Sequence, residues 1–128
     1  MLKPFDLALL AAFATLPAAL AAPAHAAGDA AAGKSVFQSS CSICHSAQPG
    51  QNRVGPTLYG VVGRKTGSVP GYAYSPANQS ANITWDAATL DKYLANPRAM
   101  IPGTKMTYAG LSDPAKRADL IAYLATLK

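Results

Sequence analysis

The chain has 128 residues, with 11 Lys+Arg, 6 Asp+Glu, 2 His and 2 Cys, and every carboxylate side chain is an aspartate. That length allows one domain, and 50% hydrophobic residues against 13% charged ones exclude a disordered chain. Two cysteines exclude a disulfide-dense mini-protein, 10 Gly and 10 Pro exclude a long coiled coil, and a net charge of +5 favours acidic partners without pointing to nucleic acid.

Residues 1–26 read as a secretory signal peptide. Met1-Leu2-Lys3-Pro4 is a short basic start, Leu7 to Ala22 is apolar apart from Thr15 and Pro17, and Ala24-His25-Ala26 has the small-x-small pattern of a cleavage site. As a helix, the apolar run reaches about 24 Å, short of the roughly 30 Å hydrocarbon core that an uncleaved anchor has to cross. Cleavage after Ala26 leaves a domain of residues 27–128. Lys3 and Asp6 leave together, so the net charge stays at +5. His25 leaves too, and His45 becomes the only histidine.

Asp29 is placed to cap a first helix running to about Ser40, with Ala30, Gly33 and Phe37 on one face. Gly33 inside it costs about 1 kcal/mol against Ala. The reason to keep it is close approach by another helix. Pro49 to Asn82 follows as a stretch rich in Gly, Pro, Asn and Ser. A loop that long in a compact domain means either a missed helix or packing against something other than polypeptide. Asp86 caps a second helix through Leu90, Tyr93 and Leu94, and Asn96-Pro97 stops it. Asp113 and Pro114 open a third, with Leu120, Tyr123, Leu124 and Leu127 on one face. No alternating run suits a sheet, so the expected fold is all-α.

Cys41-Ser42-Ile43-Cys44-His45 ends the first helix. Cys-x-x-Cys-His is the attachment motif for c-type haem. In a helical turn the two thiols face the same way, and the imidazole lies one turn on from Cys41. A closed zinc site needs four ligands, and the mature chain offers three as Cys or His. A thioredoxin-like dithiol sits near a βαβ pattern, which is absent, and a plain disulfide leaves the adjacent His unexplained. For a second axial ligand the candidates are Met106, Met100, Lys105 or an open position. Met106 is favoured because Ile101 to Met106 is stiffened by Pro102 and turned by Gly103, but spacing alone does not decide.

Further segments carry a family resemblance. They are Gly28-Asp29, Gly33 with Phe37, Gly55-Pro56-Thr57-Leu58, Gly63-Arg64-Lys65-Thr66-Gly67, Pro70-Gly71-Tyr72-Ala73-Tyr74 and Ile83-Thr84-Trp85. Tyr93-Leu94-Ala95-Asn96-Pro97, Ile101 to Met106 and Asp119 to Leu124 complete the set. Over nearly all of residues 28–128 the chain resembles class I cytochromes c of the mitochondrial type and their bacterial periplasmic relatives. The resemblance implies a single-domain fold of about three main helices, with long loops wrapped around one haem c bound through Cys41 and Cys44. It implies His45 and Met106 as axial ligands, and Pro56 as carbonyl partner of the other imidazole nitrogen. Tyr74 and Trp85 would hold a propionate with Arg64 nearby, Tyr93 and Thr104 would flank the Met side, and Asn78 would organise an internal water. Gly33 and Phe37 would meet Leu120 and Tyr123 where the terminal helices cross.

Departures from the family pattern are visible. Ser40 and Arg98-Ala99 stand where mitochondrial relatives carry lysines, and Ser46 to Val54 is short and taken to lack their basic residues. The positive ring is then mainly Arg98 and Lys105, with Lys34. The expected role is that of a soluble, periplasmic, monomeric one-electron carrier rather than an enzyme. It would dock transiently on acidic patches, between a membrane quinol-oxidising complex and a terminal oxidase, reductase or photosynthetic reaction centre. No nucleic acid or small-molecule substrate is expected. The rival is a five-coordinate haem protein with peroxidase or gas-binding activity, which needs Met106 absent or labile.

Overall fold

A computed structural model describes residues 28–128; the expected signal peptide at 1–26 lies outside them. Five helices follow one another: α1 (Ala30–Ser40), α2 (Pro76–Ser80), α3 (Ala87–Ala95), α4 (Pro97–Met100) and α5 (Pro114–Ala125). Among the described residues there is no strand, only an isolated antiparallel bridge between Lys65 and Thr84. No helix among them is long and apolar enough to cross a membrane.

Each long helix starts where an aspartate offers a carboxylate to free backbone N–H groups. Asp29 Oδ1 accepts from the N–H of Ala31 at 2.8 Å and of Ala32 at 3.2 Å. Asp86 Oδ1 accepts from Thr89 at 2.8 Å, and Asp113 Oδ1 from Ala115 at 2.9 Å and Lys116 at 3.2 Å. The three main helices thus fall where the sequence places them. The two short ones are additions. Ser75 caps α2 and Asn96 caps α4, each with proline in the first turn. Pro97 therefore ends α3 and begins α4, because its fixed φ suits a first helical position. The stretch from Pro49 to Asn82 contains α2 but is otherwise loop.

The most extensive helix contact is between α1 and α5. It depends on Gly33. A Cβ there would overlap the Asp119 carbonyl and lie 2.9 Å from Tyr123 Cβ. One turn on, the Phe37 and Tyr123 rings sit 5.4 Å apart at 56°. The Asp119 carboxylate accepts from the Asp29 N–H at 2.8 Å, tying the start of α1 to α5. Helix α3 packs on α5, and Leu90, Leu94, Leu120 and Leu124 share one core with Phe37, Val61, Trp85 and Ile101. Arg117 clamps this pair: its Nε donates to Asp91 at 2.8 Å, and its Nη1 to the carbonyls of Leu111 and Ser112 at 2.8 and 3.0 Å. The loops are tied in turn. Thr66 N–H donates to Ile83 O at 2.8 Å, Trp85 N–H to Arg64 O at 2.9 Å, and Gly60 N–H to Leu127 O at 2.6 Å.

In an open helix Gly→Ala stabilises by about 1 kcal/mol. At Gly33 the sign reverses, because the methyl group meets backbone that cannot give way. Gly33→Ala is expected to cost about 1–3 kcal/mol, measured as a lower denaturation midpoint by circular dichroism. An unchanged or higher midpoint would refute the close-approach account.

Candidate functional site

A cavity of about 450 Å³ opens between the turn that follows α1 and the segment around Met106. Its walls are mostly apolar, with Leu58, Val61, Leu90, Leu94, Leu120 and Leu124 among them. Arg64 and Lys105 reach it, and no carboxylate side chain does, among the described residues.

The turn after α1 presents the motif residues. Cys44 and His45 N–H groups both donate to Cys41 O, at 3.1 and 2.9 Å, so the helical winding continues through the motif. The Cys41 and Cys44 side chains both lie on the cavity wall. Burial, with the neighbouring Cys44 adding to it, pushes the Cys41 thiol up to about 11.

His45 is pinned from behind. Its Nδ1 lies 2.7 Å from the Pro56 carbonyl. A carbonyl only accepts, so Nδ1 carries the proton and Nε2 keeps its lone pair. Burial lowers the imidazole pKa and Arg64 adds to that, against the pull of the Pro56 carbonyl. The ring is therefore neutral at neutral pH, the form that binds metal. Gly55 makes the approach possible: a Cβ there would overlap Cε1 and lie 2.6 Å from Nδ1 and 2.9 Å from Nε2. The Gly55 N–H also donates to Cys44 O at 2.8 Å, so the two segments are bonded edge to edge.

Met106 is placed by two neighbours. The Tyr93 hydroxyl donates to its sulfur at 3.1 Å, and its N–H donates to Thr104 Oγ1 at 3.3 Å. Burial pushes the Tyr93 pKa up, with Thr104 partly offsetting it, so the phenol stays a donor. Tyr93 in turn packs on Trp85, rings 4.6 Å apart. Met100 is half-buried against the core and does not reach the cavity.

The remaining expected residues also line this cavity. The Tyr74 hydroxyl accepts from Val69 N–H at 3.1 Å, Arg64 Nη1 donates to Tyr59 O at 3.1 Å, and Asn78 Oδ1 accepts from the Ser75 hydroxyl at 2.8 Å. Burial lowers the Arg64 pKa, with Tyr74 partly offsetting it. Cys41, Cys44, His45, Pro56, Arg64, Tyr74, Asn78, Trp85, Tyr93, Thr104 and Met106 are thus brought to one place.

Sequence reasoning gave no role to Tyr72 or Tyr108, which line it too. Tyr72 packs edge-on to Tyr74 with centroids 4.7 Å apart, under the Lys105 ammonium, which also donates to Ala73 O. Tyr108 stands two residues after Met106, and burial raises its pKa, with Cys41 adding to the rise. Their only signal was adjacency to residues already singled out. Of the expected positive ring, Lys105 lines the cavity and Arg98 and Lys34 do not. One reading is corrected: Ser46 to Val54 does carry a basic residue, Arg53, whose Nη1 donates to Ser42 O at 2.8 Å.

Two thiols, a neutral imidazole, a thioether and apolar walls in one cavity fit a c-type haem, and Gly55 leaves room for the imidazole that such a group needs. The comparisons agree. Residues 30–128 match the sequence profile of the family Cytochrome c. A cytochrome c of Euglena viridis is 54% identical over 101 residues, covering 79% of this chain and 99% of that protein. A cytochrome c2 of Rhodopila globiformis is 54% identical over 79% of this chain and 95% of its own length. The solved structure of cytochrome cH from Methylobacterium extorquens matches with a TM-score of 0.72 at 51% identity, over 77% of this chain and 99% of that one. The chain belongs to the cytochrome c family. It is a monohaem c-type electron carrier of the class I fold, with haem c held covalently through Cys41 and Cys44.

Gly55→Ala is expected to displace the imidazole and, with His45 read as an iron ligand, to weaken that bond by about 10–100-fold. The measurement is the optical spectrum and haem-to-protein ratio of the purified variant. Full loading with an unshifted spectrum would show that the cradle is not needed.

Proposed function

We propose that this chain is a soluble electron shuttle of the periplasm, exported with removal of residues 1–26. It works between a membrane quinol-oxidising complex and a terminal oxidase, reductase or photosynthetic reaction centre. The observation that carries this reading is the pairing, on one apolar cavity, of an imidazole with a free Nε2 and a thioether held by Tyr93.

In this reading His45 and Met106 would hold the haem iron through nitrogen and sulfur. Haem c would supply a reversible one-electron couple, and ligation by the Met106 thioether would raise its potential. The protein residues do the rest. Pro56 fixes the imidazole plane, and Tyr93 and Thr104 hold the thioether at its station. Tyr74 and Trp85 would bind a propionate, Arg64 would offset its charge, and Asn78 would order an internal water. The leucine walls exclude solvent, which limits reorganisation when charge changes. Such a site has no place for a substrate, so the role is transport of electrons and not catalysis. The monomer meets acidic patches on its partners in small, short-lived contacts.

Redox titration with reduced-minus-oxidised spectra tests this. The wild type is expected to show a positive midpoint and a sulfur-to-iron charge-transfer band. In Met106→Ala the band is expected to disappear, the midpoint to fall and the ferrous form to bind carbon monoxide. If wild type and variant behave alike, Met106 is not a ligand, and a strongly negative wild-type midpoint would overturn the carrier role. Rates with an acidic partner are also expected to fall as salt rises. A flat dependence would remove charge from the docking account.

A further inference from the structure

The hydrogen bond that orients His45 has a second end. Pro56 C=O and Thr57 N–H belong to one peptide unit, which is planar and polarises as a whole. Its carbonyl end lies 2.7 Å from His45 Nδ1. Its N–H end donates to Asn52 Oδ1 at 3.0 Å. The same Asn52 side chain donates from Nδ2 to Pro70 O at 3.1 Å. An oxygen has to face the Thr57 N–H and an NH2 the Pro70 carbonyl, so the two contacts together fix which end of the carboxamide is which. Imidazole, peptide, carboxamide and the Pro70 carbonyl therefore stand in one hydrogen-bonded line, with every N–H pointing away from His45.

The peptide sits where such a line matters. The Pro56 ring fixes φ and leaves ψ as the angle that turns the 56–57 plane. The peptides on either side are held by backbone, Gly55 N–H on Cys44 O at 2.8 Å and Leu58 N–H on Ser46 O at 2.9 Å. The Thr57 N–H is held by a side chain instead. Arg53 N–H donates to Gly55 O at 2.9 Å, which folds the segment back and brings Asn52 within reach. Thr57 is 4% exposed. Away from water, aligned hydrogen bonds strengthen one another by about 10–30% each.

We infer that Asn52 is a positioning residue for His45, acting through the Pro56–Thr57 peptide: it locks the plane of the carbonyl and strengthens it as an acceptor. This rests on the reading of His45 as an iron ligand. A stronger acceptor draws the Nδ1 proton outward, leaves Nε2 richer in electrons and favours the ferric state. Asn52 thus lowers the midpoint that the thioether raises. Its other end, on Pro70, registers the imidazole against the loop that carries Tyr74 to the cavity wall.

The test compares haem-loaded wild type, Asn52→Ala and Asn52→Asp. Alanine removes both contacts; aspartate keeps an acceptor for the Thr57 N–H, makes it anionic and loses the donor to Pro70. The readouts are the His45 Nδ1–H proton shift in the ferrous protein by NMR and the midpoint by redox titration. Asn52→Ala is expected to move the proton upfield and the midpoint up, and Asn52→Asp to move the proton downfield and the midpoint down. A mere tie between loops predicts that the variants move together, since both lose the Pro70 bond. That result overturns the inference, as does an unmoved proton in Asn52→Ala. Gln51→Glu places a carboxylate one residue away, beside the Ser46 hydroxyl that Gln51 already accepts from, and is expected to leave the proton where wild type has it. A downfield shift equal to that of Asn52→Asp overturns the relay in favour of charge alone. If Asn52→Ala is not loaded with haem, Asn52→Asp against Gln51→Glu decides. A wild type whose His45 ring protons show no haem ring-current shift overturns the ligand reading as well; variants that move together on a ligated His45 overturn this inference alone.

Discussion

The site hangs on one close approach, that of Gly55-Pro56 to the face of His45. The Pro56 carbonyl accepts a hydrogen bond from Nδ1–H at 2.7 Å, which keeps the proton on Nδ1 and leaves Nε2 as the bare nitrogen. Burial keeps the ring neutral. Both effects require backbone to lie where a side chain would otherwise stand, which only glycine at position 55 permits. The same segment is bonded to Cys44, so the thiols and the imidazole are registered against one another by backbone rather than by side-chain packing. Backbone contacts of this kind transmit position with little play.

Much of this was legible in the sequence, for physical reasons that differ from residue to residue. The three long helices announce themselves because aspartate at an N-cap and a repeating apolar face are local signals. The haem motif is local too. Helices α2 and α4 were missed because five and four residues are too few to show periodicity. Ser75-Pro76 and Asn96-Pro97, each a cap followed by proline, were their only mark. Met106 against Met100 is undecidable locally. What separates them is Tyr93, 13 residues from Met106, whose hydroxyl reaches its sulfur. The charge of Arg53 is plain in the sequence, but that its guanidinium bridges to Ser42 is a fact of tertiary structure.

Aspartate usage is economical. With no glutamate in the chain, each described carboxylate answers a backbone or guanidinium donor that the fold would otherwise leave to solvent. Negative charge is thereby confined to helix starts and to the α3–α5 pair. The positive field around the cavity mouth follows from where anions are needed structurally as much as from where cations are placed.

The crossing of α1 and α5 joins residues 90 apart in the chain, Asp29 and Asp119. A polypeptide delivered from its N-terminus, whether by a ribosome or through a translocation pore, presents α1 long before the helix that covers it. Closure waits for the last dozen residues to emerge. Throughout that interval the turn bearing Cys41 and Cys44 stays accessible to whatever machinery stitches the porphyrin in place. The order of events is written into the topology: tethering can come first, and the lid arrives with the end of the chain.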